Sequence, residues 1–420
     1  MLKFLKKDVI FVRPIIILPD NLYVMRRIPD PAEYIQVSNV FSLYYQNFIY
    51  PYDNNFDVKI NCKYGKNLER CWRFEPDLDC EKEFLMTVSI YLYGEKLAEK
   101  TVNVHVNDRN EKTLSLLCIG DSMTQAEIYI TQAVKKAMGI ETIGTQCRQG
   151  LVRHEGRGGW TLERYLTQDH SSGGHYSPFL FPKSVKGKDY YGDLWYSDLV
   201  KRCPDSYGTA GSCCEPVKKG EYVLKDEAIY LFNGECYELF DPNPEFEFNF
   251  GKYLERNGFK APDAVSLLFG ANDLQVIDYE NTKNEIQKLL ERLDVIVSEI
   301  KKYGSKIVIN LPVLGADQYS WGLRMGCRGT VKQYEYNIKM WSDALLKSYD
   351  NREKDGIYIC PMMATLDNIT GFDEGHSSAS PYSNAQEYHK LNWVHPSDVG
   401  YKLMGNTLAG VLCEIKNASL

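Results

Sequence analysis

The sequence predicts an α/β protein: a doubly wound, parallel five-stranded sheet of the flavodoxin-like kind, preceded by a smaller all-β unit. Two observations carry this. From residue 114 onward, short apolar runs without alternation, the pattern of strands buried on both faces, take turns with segments whose apolar residues recur at helical spacing. Before residue 110 the runs are short, alternating or β-branched, and separated by turn signals, as in a small antiparallel sandwich. The expected division is an Ig-like β-sandwich over 1–112 and an α/β domain over 113–420.

Within the first part, residues 57–61, 84–93 and 100–106 read as strands, with turns at 51–55 and after Tyr93. Trp72 and Phe74 are expected core aromatics, and His105, in the middle of an alternating strand, a packing or surface histidine. The apolar run 14–19 is bounded by prolines and far too short to span a bilayer, and no small-residue cleavage site follows it. The expectation is therefore a cytoplasmic protein without membrane association.

In the second part, residues 114–119 form an apolar run too short for a helix, broken at Gly120 just before Ser122. Ala126, Ile130, Val134 and Met138 then follow at helical spacing, ending in Lys135, Lys136 and Gly139. A strand, a turn and a helix thus meet at Ser122, on the carboxyl edge of the sheet where open α/β folds bind ligands. Taken alone, a serine there is first of all a helix cap.

Further strands read at 141–145, 264–269, 306–310 and 357–360. One helix is expected to open at the capping box Thr282–Glu285 and to close at Lys301, Lys302 and Gly304; another runs from Tyr334 to Leu346. Residues 168–248, rich in Gly, Ser, Tyr and Pro, break the alternation and are too long for a simple loop. They read as an insertion over the sheet edge, with Phe179, Phe181, Tyr190, Tyr191, Trp195 and Tyr196 needing burial.

A net charge of −7 with both signs mixed along the chain argues against a phosphate-binding surface, so nucleic acid is not an expected partner. The twelve cysteines are irregularly spaced, and Cys118 and Cys360 fall inside strand-like runs, where reduced thiols act as small hydrophobes. Cys203, Cys213 and Cys214 cluster in the insertion, where a disulfide or a metal site is conceivable, but no second CxxC or histidine pair accompanies them. No metal and no cofactor is expected.

Three further stretches bear on Ser122. Residues 154–161 (HEGRGGWT) place Gly158 and Gly159 where backbone can approach a ligand and offer an N–H to an oxyanion. Asn272, in Gly270-Ala-Asn-Asp273, stands at the end of the 264–269 strand with an amide to donate. His395, in Asn392-Trp-Val-His395, precedes the last helical segment and can return as a base. Asp121 and Asp273 read as supporting residues that hold their turns. Of the remaining histidines, 154, 170, 175, 376 and 389 show no ligand spacing and read as surface or loop residues, with His154 alone near the site. Arg157 and Trp160 flank the glycines as candidate substrate contacts, although Trp160 is equally a packing residue.

With these four blocks in order over roughly 114–410, the chain resembles the SGNH/GDSL hydrolase family, whose blocks are a GDS serine, a glycine, a GxND asparagine and a DxxH histidine. The resemblance implies Ser122 as nucleophile, His395 as general base and acid, and an oxyanion hole from the N–H groups of Ser122 and Gly159 with the Asn272 side chain. The departure is Asn392, where the family has Asp; an asparagine supplies no charge to an imidazolium. Three readings follow: a Ser–His dyad oriented by a backbone carbonyl or by Asn392, a carboxylate from elsewhere, or a non-catalytic relative. Asp398 reads as a cap of the last helix.

The resemblance implies a serine esterase working through an acyl-enzyme. The aromatic-rich insertion and the sandwich suit a small-molecule or glycan ester, an O-acetylated carbohydrate foremost. A lipase- or thioesterase-like acylhydrolase is the rival within the class, and a glycan-binding protein on a hydrolase scaffold the rival outside it.

Overall fold

The computed structural model describes residues 13–26, 40–77, 79–167, 177–183, 202–203 and 215–418. Its first part is built on two sheets. Strands β1 (Asn21–Met25), β2 (Phe41–Tyr44), β3 (Asp57–Cys62), β4 (Lys66–Asn67), β5 (Cys71–Phe74), β6 (Glu83–Leu92) and β7 (Glu95–Asn107) form sheets ordered β1-β7-β6-β3 and β2-β5-β4. The sheets face each other across one apolar core, to which Leu22, Leu43, Ile60, Met86, Val88 and Val104 contribute; Trp72 stacks on Phe74 there, 1% and 2% exposed. The expected wholly antiparallel arrangement is corrected at one edge, where β1 runs parallel to β7, pairing Leu22 with Val104 and Val24 with Val106. His105 packs on Tyr23, ring centroids 5.2 Å apart.

The second part is a parallel sheet of β8 (Leu114–Gly120), β9 (Ile140–Ile143), β10 (Glu155–Gly156), β11 (Ala264–Leu268), β12 (Lys306–Asn310) and β13 (Ile357–Cys360). The order β9-β8-β11-β12-β13 is the flavodoxin-like one, with the two-residue β10 pairing beyond β9 on the last residues of β8. Residues 116–119 are each 0% exposed, which explains the absence of alternation: both faces of β8 are covered. Strand order runs outward from β8 in both directions along the sheet, and where such parallel strands are joined by right-handed crossovers, helices fall on both faces. Of these, α1 (Ser122–Gln125), α2 (Ile128–Ala137) and α3 (Leu162–Leu166) precede α4 (Phe250–Asn257), α5 (Tyr279–Lys301), α6 (Gln318–Met325), α7 (Val331–Tyr349) and α8 (Asp398–Ala418). The α2 and α8 helices pack on one another, as do α5 and α7. The order reverses at β8, so the ligand crevice of such a sheet opens beside Ser122.

Three helix boundaries differ from the sequence reading. The single helix expected after Ser122 is two, because Glu127 takes a left-handed φ of 63° between α1 and α2. The α5 helix opens one turn before the capping box, so Thr282 lies inside it, and its hydroxyl donates to the carbonyl of Asp278 and to Asn337. The α7 helix begins at Val331 because Thr330 caps it, its Oγ1 accepting from Gln333 N at 3.2 Å.

The flanks of the insertion belong to the main core. Residues 180–182 pair with 246–248, and Phe179, 0% exposed, packs against Phe248, Phe250 and Tyr253. Between the flanks an antiparallel meander of residues 222–225, 228–232 and 237–241 closes a small cluster around Ile229. Tyr190, Tyr191, Trp195, Tyr196, Cys213, Cys214, His170 and His175, and the side chain of Cys203, lie outside the described residues. The nine described cysteines are free thiols, and burial pushes Cys118 up to about 12. No group of metal-ligating side chains occurs among the described residues. Nor is any described helix long and apolar enough to cross a membrane.

Polar contacts join the two parts, those of Lys339 and Asn47 buried and that of Arg70 reaching from an exposed side chain to a buried carboxylate. Arg70 forms a bidentate pair with Asp367 at 2.9 and 3.2 Å. The buried ammonium of Lys339 donates to the carbonyls of Gln46 and Ile49, and burial lowers its pKa to about 8. Asn47 Nδ2 donates to the carbonyls of Met363 and Leu366.

Candidate active site

The site begins where β8 stops. A Cβ at Gly120 would stand 2.3 Å from Thr124 Oγ1 and 2.7 Å from the carbonyl of Leu268, so only glycine lets the chain turn there. Asp121, not Ser122, caps α1: its Oδ1 accepts from Met123 N at 2.9 Å. The serine occupies the first helical position, and its hydroxyl is left for other work. His395 arrives from the loop before α8, with Nε2 2.7 Å from Ser122 Oγ.

Three bonds brace that loop. Asn392 Oδ1 accepts from the backbone N–H of Val394 at 3.1 Å and of His395 at 2.9 Å, and Ala316 N donates to the Trp393 carbonyl at 3.0 Å. Asn392 thus acts on the backbone of the histidine segment rather than on its ring. The α8 helix is capped by Ser397, whose Oγ accepts from Gly400 N; Asp398, expected as the cap, is instead its exposed first residue. Among the described residues no carboxylate bonds or pairs with His395. Burial lowers its pKa below 6.5, and the nearby Arg324 cation on α6 lowers it further. The imidazole is therefore neutral at pH 7, with Nε2 free to accept the serine proton.

The glycine block folds back over α1. Arg157 N donates to the Gly120 carbonyl at 2.9 Å, and Trp160 N to the Arg157 carbonyl at 3.2 Å, which turns residues 157–160 beside Ser122. A Cβ at Gly158 would lie 2.6 Å from Gln125 Oε1 and 3.9 Å from Ser122 Cβ, so Gly158 approaches the serine closely, while Gly159 holds a left-handed φ of 73° facing open space. Asn272 and Asp273 pin this segment together: Asn272 Nδ2 donates to the Trp160 carbonyl, and Leu162 N donates to Asp273 Oδ1, both at 2.9 Å. Burial raises Asp273 to about 6, and burial together with the charge of Asp273 raises Asp121 to about 7.

Several residues of the setting have no mark in the sequence. Glu127 is fully buried, and its carboxylate accepts from the N–H groups of Gln149 and Leu151 and from His154 Nε2. Burial alone would raise its pKa, but these donors outweigh burial and hold it below 4.5. His154, expected in a loop or at the surface, is 0% exposed; its Nδ1 accepts from Gly156 N, so it is a neutral interior histidine. Arg157 is also interior, bonded to Glu155 at 2.7 Å and lying over the Trp160 ring. Trp160, 4% exposed, packs edge-on against Tyr165. The Tyr165 hydroxyl ties Gly120 to Glu155 by donating to both carbonyls.

A hairpin of residues 374–378 and 386–390 leads into the histidine loop, and its Lys390 N donates to Asp317 Oδ2 at the start of α6. Tyr319 and His389 lie there with ring centroids 4.1 Å apart, and Tyr388 is 79% exposed.

Among solved structures, a proposed SGNH hydrolase from Slackia heliotrinireducens aligns with a TM-score of 0.35 and 10% identity, over 72% of this chain and 100% of that one. An acetylxylan esterase from Geobacillus stearothermophilus aligns with a TM-score of 0.30 and 14% identity, over 73% and 95%. A proposed acylhydrolase from Bacteroides fragilis aligns with a TM-score of 0.32 and 11% identity, over 74% and 90%. No curated protein matches the sequence. The model of the GDSL-like lipase/acylhydrolase family matches residues 116–408, the span that carries Ser122, the glycine block, Asn272 and His395. The chain belongs to the GDSL-like lipase/acylhydrolase family and is a carboxylic ester hydrolase.

Proposed function

We propose that the protein is a serine esterase that works as a Ser122–His395 dyad and removes a short acyl group, acetyl foremost, from a carbohydrate. The observation that carries this is the 2.7 Å contact between Ser122 Oγ and a neutral His395 imidazole. His395 takes the hydroxyl proton as Ser122 attacks the ester carbonyl. The tetrahedral oxyanion is stabilised by the N–H groups of Ser122 and Gly159 and by the Asn272 amide, and the imidazolium returns its proton to the leaving alcohol. Water, deprotonated by the same imidazole, then releases the acid. The asparagine at position 392 serves this scheme by fixing the backbone of His395 rather than by supplying charge.

A short acyl group is favoured because the groups around the serine are glycine backbone and polar side chains, Gln125 and Asn272 among them, whereas a long acyl chain needs apolar walls. A sugar alcohol is favoured by the Tyr319–His389 pair, since such rings combine an apolar face with a polar edge. Acetate release from acetylated xylan, measured beside hydrolysis of 4-nitrophenyl esters of increasing chain length, tests this. Rates that fall with chain length, together with acetate release, are expected. Rates that rise toward long chains would make the protein a lipase instead.

A further inference from the structure

We propose that the N-terminal sheets carry a second site, separate from Ser122, that binds a neutral polysaccharide chain. A groove of about 860 Å³ follows edge strand β3 and is lined only by residues between Tyr45 and Glu99, none of them from the serine site. Its volume falls within the ~300–1,000 Å³ of small-molecule sites. The register pairs Asp57 with Tyr91, Lys59 with Ser89 and Asn61 with Thr87, so one face of the β3–β6 pair offers a ring, hydroxyls and an amide in a row. Tyr52 and Phe56, in an edge-to-face pair with centroids 6.4 Å apart, line it as well.

The chemistry of the lining selects the ligand. Lys59 pairs with Asp57 at 2.9 Å, and Glu99 accepts from Lys96 and from Ser89 Oγ; with Glu69 also on the lining, the groove has no cationic excess to recruit an anion. The half-buried rings of Tyr52 and Phe56, and that of Tyr91 with Lys59 Nζ 5.2 Å from its centroid, stand beside hydroxyls, amides and fixed carboxylates and match the apolar faces and hydroxyl edges of sugar rings. A peptide adding to the sheet edge is disfavoured. Asn67 already occupies the centre of β3, its Oδ1 accepting from Ile60 N at 3.0 Å and its Nδ2 donating to the Ile60 carbonyl at 2.8 Å.

The groove also continues. A second hollow of about 330 Å³ shares Tyr52 and Glu69 with the first and reaches the junction with the α/β part at Arg70, Asp367 and Asn368. Asn368 is 9% exposed, and neither polar atom of its amide has a partner. It leaves a donor and an acceptor for an inserted hydroxyl. An elongated path with polar groups at its end fits a chain of several sugar units better than a single one.

The site is independent of ester hydrolysis and is tested without it. The full chain carrying Ser122→Ala is run through native gels cast with soluble arabinoxylan, glucomannan or mixed-linkage β-glucan, with polygalacturonate as the anionic comparison. Retardation by at least one neutral polysaccharide is expected. Tyr52→Ala or Tyr91→Ala should weaken it about tenfold, the effect of losing one ring contact. Asn61→Ala, an exposed position at which the fold is not at risk, should weaken it as well, and melting temperatures check that each variant is folded. No retardation by any neutral polysaccharide, retardation only by polygalacturonate, or equal retardation of all variants would overturn the proposal. So would retention competed by an extended peptide and not by oligosaccharide. Binding by this variant, with no ester turnover by the parent chain that retains Ser122, would sink the esterase reading and leave this one standing.

Discussion

Asn392 and His395 are linked through the backbone: the Asn392 Oδ1 accepts the His395 N–H at 2.9 Å and leaves the imidazole to Ser122. An aspartate in the same place would make the same two backbone bonds, more strongly for its charge. Asn392→Asp is therefore expected to retain activity, with the acidic limb of kcat/KM moved to higher pH because a nearby anion stabilises the imidazolium. Asn392→Ala removes both bonds and loosens the loop, and kcat should fall roughly 10–100-fold, since misplacement of about 1 Å costs that much. Equal rates for Asn392→Ala and the parent would show that the loop does not depend on residue 392.

The charge beside His395 is a cation, and the sign of its effect is fixed. The base must be neutral to act, so the rate falls as pH drops through the His395 pKa, which lies below 6.5. Burial and Arg324 both disfavour the imidazolium. Arg324→Ala removes one of the two, raises the pKa and should move the acidic limb upward. A pH–rate profile that stays in place, or moves downward, would show that Arg324 does not act on the ring.

Asn272 has two tasks, the bond to the Trp160 carbonyl and the stabilisation of the oxyanion. Asn272→Ala should lower kcat by roughly 10²–10³ with little change in KM, as for loss of one oxyanion donor. A change confined to KM would make Asn272 a substrate-binding residue.

Glu127 is expected to matter for stability and for its pH dependence. Its carboxylate accepts several N–H groups with no exposed surface, so Glu127→Gln should cost about 3 kcal/mol, the scale of hydrogen bonds to a buried charge. The folded-state pKa is depressed below 4.5, so the stabilisation is complete above that value and is lost as pH falls through the folded pKa. Melting temperatures of the parent should fall more steeply below pH 4.5 than those of Glu127→Gln; parallel curves would contradict this.

Those expectations mark where sequence reading reaches and where it stops. The strands at 306–310 and 357–360 were legible because a run buried on both faces has no alternation to confuse it. The expectation for Ser122, Gly159, Asn272 and His395 rested on four ordered blocks, and the structure brings Ser122 and His395 to 2.7 Å across 273 positions of chain. Glu127 was not legible: it interrupts an apolar periodicity that continues on either side, and its left-handed backbone is compensated by donors more than 20 residues away. The role of Asn392 was equally hidden, because an amide can serve a ring or a backbone, and only coordinates show which N–H groups it meets. Arg324 stands 71 positions before His395, and its nearness comes from the α6 start being tied to the histidine hairpin.

The central claim is that Ser122, activated by His395 alone, carries the acyl group. Brief reaction with 4-nitrophenyl acetate at low pH, followed by acid quenching and mass measurement of the intact chain and its peptides, reads this directly. The expected result is one added acetyl group on the peptide that contains Ser122, absent from Ser122→Ala and from His395→Ala. Turnover of the ester by Ser122→Ala at the parent rate, or an acetyl group on any other residue in a productive cycle, would contradict it.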